Sequence, residues 1–145
     1  MKLQLLPRFF VITAVVSLLT LCYSVPDEIE AGLTPLEYFQ RAQEATDASR
    51  YALAIAYYEK FQEQYPVEQH PEELDRNIWA EYEIALLHSK MGKNKLALEL
   101  FDALLAKYES GDFPDLPEGP RILAEKVKAR IEEKLPPEEP AVSGQ

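Results

Sequence analysis

The chain has 145 residues, 47% of them apolar and 28% charged, which suits one small domain. Its formal net charge is −10, and two of its basic residues, Lys2 and Arg8, precede a long apolar run, so the remainder is more acidic still. Such a surface repels phosphate backbones and anionic lipid head groups, so nucleic acid is not an expected ligand. The single cysteine, Cys22, excludes an intrachain disulfide and leaves the downstream region without a thiolate.

The N-terminal segment has the layout of a targeting sequence. Residues 9–21 carry no charge and follow Lys2 and Arg8, an arrangement typical of a signal peptide. The run is shorter than the roughly 20 apolar residues of a transmembrane helix. A longer window with Arg8 near one end still allows an uncleaved anchor. Residues 1–25 are therefore predicted to be a signal peptide or a membrane anchor.

Three fates of this segment remain open. It stays as an uncleaved hydrophobic helix, it is cleaved before Val25, or it is cleaved at a lipidated Cys22. The stretch Leu19-Thr20-Leu21-Cys22 resembles the lipobox of bacterial lipoproteins, although Leu21 stands where that pattern has Gly, Ala or Ser. All three fates place the following domain outside the cytoplasm. The expected location is the cell envelope, either membrane-anchored or periplasmic and secreted.

The first helix has a well-specified start. An acidic spacer at residues 26–33 leads to Thr34, a good N-cap, and then to Pro35, which suits the first helical position. Glu37 lies three residues after the cap and completes a capping box. The sequence therefore predicts that a helix begins at Pro35.

Apolar spacings of three and four predict an all-α domain, and no alternating strand pattern is present. The predicted helices span about residues 35–48, 51–66, 71–91, 94–109 and 120–135. Pro66 and Gly92 are expected to end the second and third. The residues of the last helix expected to face inward are Leu123, Ala124, Val127 and Ile131. Residues 136–145 are predicted to be a disordered tail.

A stretch of the chain repeats at an offset of 43 residues. The match runs without gaps from Leu36 and Trp79 to Tyr65 and Tyr108. Other matched pairs are Phe39 and Tyr82, Ala42 and Ala85, Ser49 and Gly92, Ala54 and Ala97, and Tyr58 and Phe101.

These units resemble tetratricopeptide (TPR) repeats, which have a small residue in the first helix and an Ala-x3-aromatic in the second. Together with the N-terminal segment they are similar to BamD-like helical-repeat proteins of the bacterial cell envelope. Arg41 and Glu109 depart from the repeat pattern. The resemblance implies a short α-solenoid of two TPR-like hairpins (about 34–66 and 77–109) and a capping helix (about 120–135), preceded by the N-terminal hydrophobic signal or anchor helix. The alternative is an ordinary five-helix bundle whose hairpins match by chance.

The resemblance also implies a concave groove lined by the first helix of each unit. Carried over by position, the partner-binding groove consists of Leu36, Phe39, Gln43, Asp47, Trp79, Tyr82, Leu86 and Lys90. The Lys and Asn residues with which many relatives hold a peptide carboxylate are absent, since Phe39, Gln43, Tyr82 and Leu86 take those places. An apolar peptide or a partner helix is therefore the expected ligand.

The expected function is a non-catalytic protein–protein interaction module of the envelope, with envelope or outer-membrane assembly as the implied process. The alternative is a self-associating structural protein, a homo-oligomer. No catalytic residue, cofactor or metal is expected, because the sequence has no paired histidine, metal-ligand spacing or glycine-rich loop. His88 is predicted to be packed and hydrogen-bonded.

Overall fold

A computed structural model describes residues 29–113 and 115–135. These residues form α1 (Pro35–Asp47), α2 (Tyr51–Gln64), a 3₁₀ turn (Pro71–Glu73), α3 (Leu74–Lys90), α4 (Asn94–Ser110) and α5 (Glu118–Lys134). The described part of the chain contains no strand, so it is all-α and consistent with a helical solenoid. The predictions for the N-terminal segment, including Cys22, and for the tail after residue 135 lie outside the described residues.

The capping box at the start of α1 is confirmed. The Glu37 amide donates to Thr34 Oγ1 at 3.4 Å, and the Thr34 amide donates to Glu37 Oε2 at 2.7 Å. Pro35 occupies the first turn, where its missing N–H leaves no hydrogen bond unmade. The Tyr38 hydroxyl donates to the Glu30 carbonyl at 3.2 Å, so the segment before α1 is tied to the helix.

The turns between α1 and α2 and between α3 and α4 have the same geometry. Ser49 and Gly92, paired by the offset of 43, both adopt left-handed backbone conformations, with φ of 57° and 76°. Three backbone hydrogen bonds close the first turn, with the N–H of Ala48, Ser49 and Arg50 donating to the carbonyls of Glu44, Thr46 and Ala45. Each has a counterpart 43 residues later, where the N–H of Met91, Gly92 and Lys93 donates to the carbonyls of Leu87, Ser89 and His88. The sequence repeat is therefore also a repeat of backbone structure.

Small and aromatic residues at matched positions form the core. Ala42 and Ala85, and likewise Ala54 and Ala97, are fully buried, which allows close approach of the helices within each pair. The aromatic partners Tyr58 and Phe101 and the pair Phe61 and Leu104 are buried beside them. These residues fall into two hydrophobic clusters, one for each hairpin.

Helix α3 belongs to both clusters. Its Ala80, Ile84 and Leu87 pack with α1 and α2, whereas Ile78 and Ala85 pack with α4 and α5. Because one rigid helix supplies both clusters, the two hairpins are joined through a continuous packed interior.

The entrance to α3 differs from the prediction. Residues 71–73 form a 3₁₀ turn, and the α-helix itself begins at Leu74. The side-chain Nδ2 of the buried Asn77 donates to the backbone carbonyls of Tyr65 at 2.9 Å and Glu73 at 3.1 Å. These bonds connect the end of α2 to the start of α3.

Helix α5 packs on α3 and α4 and begins at Glu118, two residues before the predicted start. The prediction that Leu123 faces inward is wrong, since its side chain is 37% exposed while Ala124 and Ile131 are buried. Among the described helices none packs on the outer side of α5, which leaves Leu123 at the surface. None of the helices in the described ranges is both long and apolar enough to cross a bilayer.

Candidate functional site

A groove of about 460 Å³ lies between α1 and α3, with part of α2 at its base. We call it the α1/α3 groove. Its lining residues are Leu36, Phe39, Gln40, Gln43, Tyr58, Arg76, Trp79 and Glu83. Four of the eight residues predicted from the repeat, Leu36, Phe39, Gln43 and Trp79, are therefore brought together in one concave surface.

Aromatic side chains form the apolar part of the α1/α3 groove. Phe39 packs edge-on against Tyr58, with ring centroids 5.2 Å apart, and against Phe61 at 5.1 Å. Leu36 stands at the rim with 68% of its surface exposed, the most exposed large apolar side chain of the described residues. The fixed rings and the free leucine together offer an apolar contact surface whose shape is set before a ligand arrives.

Trp79 is held by contacts on α3 and α5. Its indole meets the Tyr82 ring edge-on at 5.9 Å. A Cβ placed on Gly119 of α5 would lie 2.8 Å from Trp79 Cζ2, closer than packed atoms allow. Gly119 is thus a close-approach glycine, and α5 helps to position the tryptophan that lines the α1/α3 groove.

The other predicted groove residues lie elsewhere. Tyr82 is 5% exposed and belongs to the core. Leu86 and Lys90 line a separate cavity of about 460 Å³, against Val127 and Ile131 of α5. Asp47 is exposed at the end of α1 and accepts a hydrogen bond from Gln43 Nε2 at 2.9 Å. The single row of residues expected from the repeat is therefore divided between two cavities, the core and the exposed end of α1.

Most polar groups of the α1/α3 groove are already paired. Gln40 Nε2 donates to Glu44 at 3.0 Å, Gln43 donates to Asp47, and Arg76 pairs with Glu73 at 2.7 Å. The sequence analysis missed four lining residues, Gln40, Tyr58, Arg76 and Glu83. The offset of 43 pairs Gln40 with Glu83 and is the one sequence feature that relates two of them.

Glu83 differs from its neighbours. No hydrogen bond or ion pair to its carboxylate occurs among the described residues. Burial raises its pKa above the usual value, and the nearby Lys90 ammonium opposes that rise. The charge of Glu83 in turn adds to the effect of burial in raising the pKa values of Tyr58 and Tyr82. The groove thus contains one partly desolvated carboxyl group beside phenol rings.

The carboxylate of another cavity is paired. A second cavity of about 420 Å³ lies on the other side of α3 and includes Glu81 and Lys107, which pair with each other at 2.5 Å. Within residues 29–113 and 115–135, no group of three or more His, Cys, Asp and Glu side chains is placed to hold a metal ion.

His88 does not have the full hydrogen bonding predicted for it. Its Nδ1 is buried and has no hydrogen-bond partner in the described part of the chain, so the prediction is wrong for that atom. Burial, reinforced by Lys93, lowers the pKa of the imidazole, and Glu59 opposes the change.

Comparisons of this chain with protein-family models, with curated proteins and with solved structures gave no match.

Proposed function

We propose that the chain is a non-catalytic protein–protein interaction module whose α1/α3 groove binds an apolar peptide or a helix of a partner. In this proposal the hairpins at about 34–66 and 77–109 are TPR-like units, and residues 120–135 cap the stack. The N-terminal segment holds the module at the bacterial cell envelope, as in BamD-like proteins, with envelope or outer-membrane assembly as the process served.

One observation carries the proposal: Leu36, Phe39 and Trp79 lie in one groove between equivalent helices of two repeated units. The matched left-handed turns at Ser49 and Gly92 support the assignment of the units as repeats. Tryptophan and other aromatic residues dominate the binding energy of many interfaces, and Trp79 is the only tryptophan of the chain. Helix-in-groove recognition uses apolar anchors of this kind.

The test begins with short random peptides displayed and selected on the full-length chain in detergent. Binding of the selected peptides is then measured by fluorescence anisotropy with wild type and with Leu36→Ala. Since Leu36 is mostly exposed, its loss removes ligand contact and leaves the core intact. We expect at least about tenfold weaker binding, the effect of losing one buried apolar side chain at an interface.

The matched control is Leu96→Ala, an exposed leucine on α4 that does not line the α1/α3 groove. It should bind as wild type does. Equal affinities for wild type and Leu36→Ala would show that the selected peptides bind elsewhere and would refute the groove assignment.

A second candidate function is self-association into a structural homo-oligomer of the envelope. It is favoured by Ile122 and Leu123, adjacent apolar residues on α5 that are 41% and 37% exposed. Sedimentation of the full-length chain in detergent would then show a concentration-dependent increase in mass, which Ile122→Lys would abolish. A single protomer mass at the highest concentration reached would rule this function out.

A further inference from the structure

We propose that Glu83 makes the α1/α3 groove selective for a segment of another protein that has a lysine or arginine beside an apolar side chain. The cation pairs with the Glu83 carboxylate while the apolar side chain packs on Leu36, Phe39 and Trp79. This inference rests on the proposed function and specifies the chemistry of its ligand.

The fold leaves Glu83 without a partner where the first repeat supplies one. Gln40, its equivalent on α1, bonds to Glu44 one turn later at 3.0 Å. The residue at the matching place on α3 is Leu87, which is fully buried in the core and has no polar atom to offer. Glu83 therefore has nothing to pair with one turn further along its own helix.

The arginine and the lysine of α3, Arg76 and Lys90, are held in other contacts. Arg76 is held by Glu73 at 2.7 Å. Lys90 lies over the Tyr51 ring, 5.7 Å from its centroid, and lines the cavity on the α5 side. In the described part of the chain, neither of them forms an ion pair with Glu83. The Lys90 charge acts on Glu83 without forming an ion pair, so a cation brought by a ligand would displace no ion pair at that carboxylate.

The surroundings of the carboxylate strengthen its interaction with a cation. Glu83 is partly buried beside Tyr58 and Trp79, in a groove that excludes part of the solvent. Charges in such places are less screened than charges on an open surface, so an arriving ammonium or guanidinium gains more from pairing there. An acidic ligand group would be repelled.

The residues around Glu83 suit a cationic side chain that has an apolar neighbour. The Trp79 ring provides an aromatic face that attracts lysine and arginine side chains, and Leu36 and Phe39 take an aliphatic or aromatic residue. The net charge of −10 steers basic segments toward the molecule in addition.

The experiment compares parallel peptide selections on full-length wild type, Glu83→Gln and Glu99→Gln in detergent. Glu99→Gln removes the same charge from an exposed position on α4 outside the groove. We expect lysine or arginine next to an apolar residue to be enriched on wild type and on Glu99→Gln. That enrichment should disappear on Glu83→Gln.

A peptide selected on wild type should bind Glu83→Gln about tenfold more weakly, which is the usual effect of losing one charge-assisted hydrogen bond. Its affinity for Glu99→Gln should equal its affinity for wild type. Replacing its cationic residue by norleucine should weaken binding to wild type similarly and cause no further loss on Glu83→Gln.

The possible results separate this inference from the proposed function. One result is that the peptides bind Leu36→Ala more weakly than wild type but have no enriched basic residue, or bind Glu83→Gln as tightly as wild type. That result would overturn the role of Glu83 and leave the proposed groove function intact. Selections that give no peptide sensitive to Leu36→Ala would overturn both. A circular dichroism spectrum of Glu83→Gln equal to that of wild type confirms that lost binding is not lost folding.

Discussion

The two hairpins of this chain share their packing and differ in what they present to the α1/α3 groove. The matched alanines and the left-handed turns are the same in both. At the groove, by contrast, an exposed leucine in the first unit corresponds to Trp79 in the second, and neutral Gln40 corresponds to charged Glu83. The positions that hold a repeat together are thus retained, and the two walls of the groove contribute different chemistry.

The largest effect should come from the aromatic core. Phe61→Ala and Phe101→Ala each remove a fully buried ring and should lower the free energy of unfolding by about 3–5 kcal/mol. Because α3 joins both clusters, urea unfolding followed by circular dichroism and by Trp79 fluorescence should give one midpoint for each variant. Two separated transitions would show that the hairpins unfold independently.

The start of each first helix offers a smaller contrast. Asn77 lies 43 residues after Thr34 and is buried with two hydrogen bonds, whereas Thr34 is exposed. Asn77→Ala should cost about 1–3 kcal/mol, because it leaves buried carbonyls unpaired. Thr34→Ala should cost about 1 kcal/mol through loss of the cap. Chemical denaturation of the two variants measures both values, and a larger loss for Thr34→Ala would contradict the account.

The two turns should respond to substitution with opposite signs. A Cβ added at Gly92 would meet no atom within 4 Å, so Gly92→Ala strains only the backbone and should destabilise by about 1 kcal/mol. Ser49→Gly relieves the same strain at the first turn and should stabilise by up to about 1 kcal/mol. Thermal melting of both variants provides the comparison. Changes of the same sign would argue that the turns are not equivalent.

The smallest effect is the pH dependence contributed by Glu83. Its pKa is raised by burial, so the folded chain binds this proton more tightly than the unfolded chain does. The contribution of Glu83 to stability therefore falls as the pH rises from about 4.5 through the raised folded pKa, and Glu83→Gln should remove that fall.

Glu37 serves as a control because its pKa is shifted in the opposite direction to that of Glu83. The Thr34 side chain and backbone lower the pKa of its carboxyl group, so its contribution is present above pH 4.5 and is lost as the pH falls. Urea midpoints measured between acidic and neutral pH should show Glu83→Gln and Glu37→Gln changing the pH profile in opposite directions. Parallel changes would contradict the assigned environments.

Several helix ends could be predicted from the sequence because they depend on local chemistry. The Thr34 capping box and the turn glycine Gly92 act within a few residues of where they occur, so both could be predicted. The 3₁₀ turn at Pro71–Glu73 and the exposure of Leu123 depend on how distant helices pack, which local patterns do not specify.

The candidate site was predicted only in part for the same reason. The repeat places Leu36 and Trp79 on equivalent helices, but the packing of the helices decides which of their neighbours face the groove. That packing leaves Glu83 in the lining and Tyr82 in the core. A carboxylate without a partner is a property of three-dimensional packing, which the offset between Gln40 and Glu83 does not specify.

The emission of Trp79 is the most direct test of the central claim that the α1/α3 groove binds a peptide. Trp79 is the single tryptophan of the chain and lines that groove, so its fluorescence responds to binding there as well as to its contacts with Tyr82 and Gly119. With a tryptophan-free selected peptide, we predict a saturable change in emission for wild type, shifted to higher peptide concentration in Leu36→Ala. Unchanged emission at a peptide concentration that anisotropy shows to be saturating would contradict the claim.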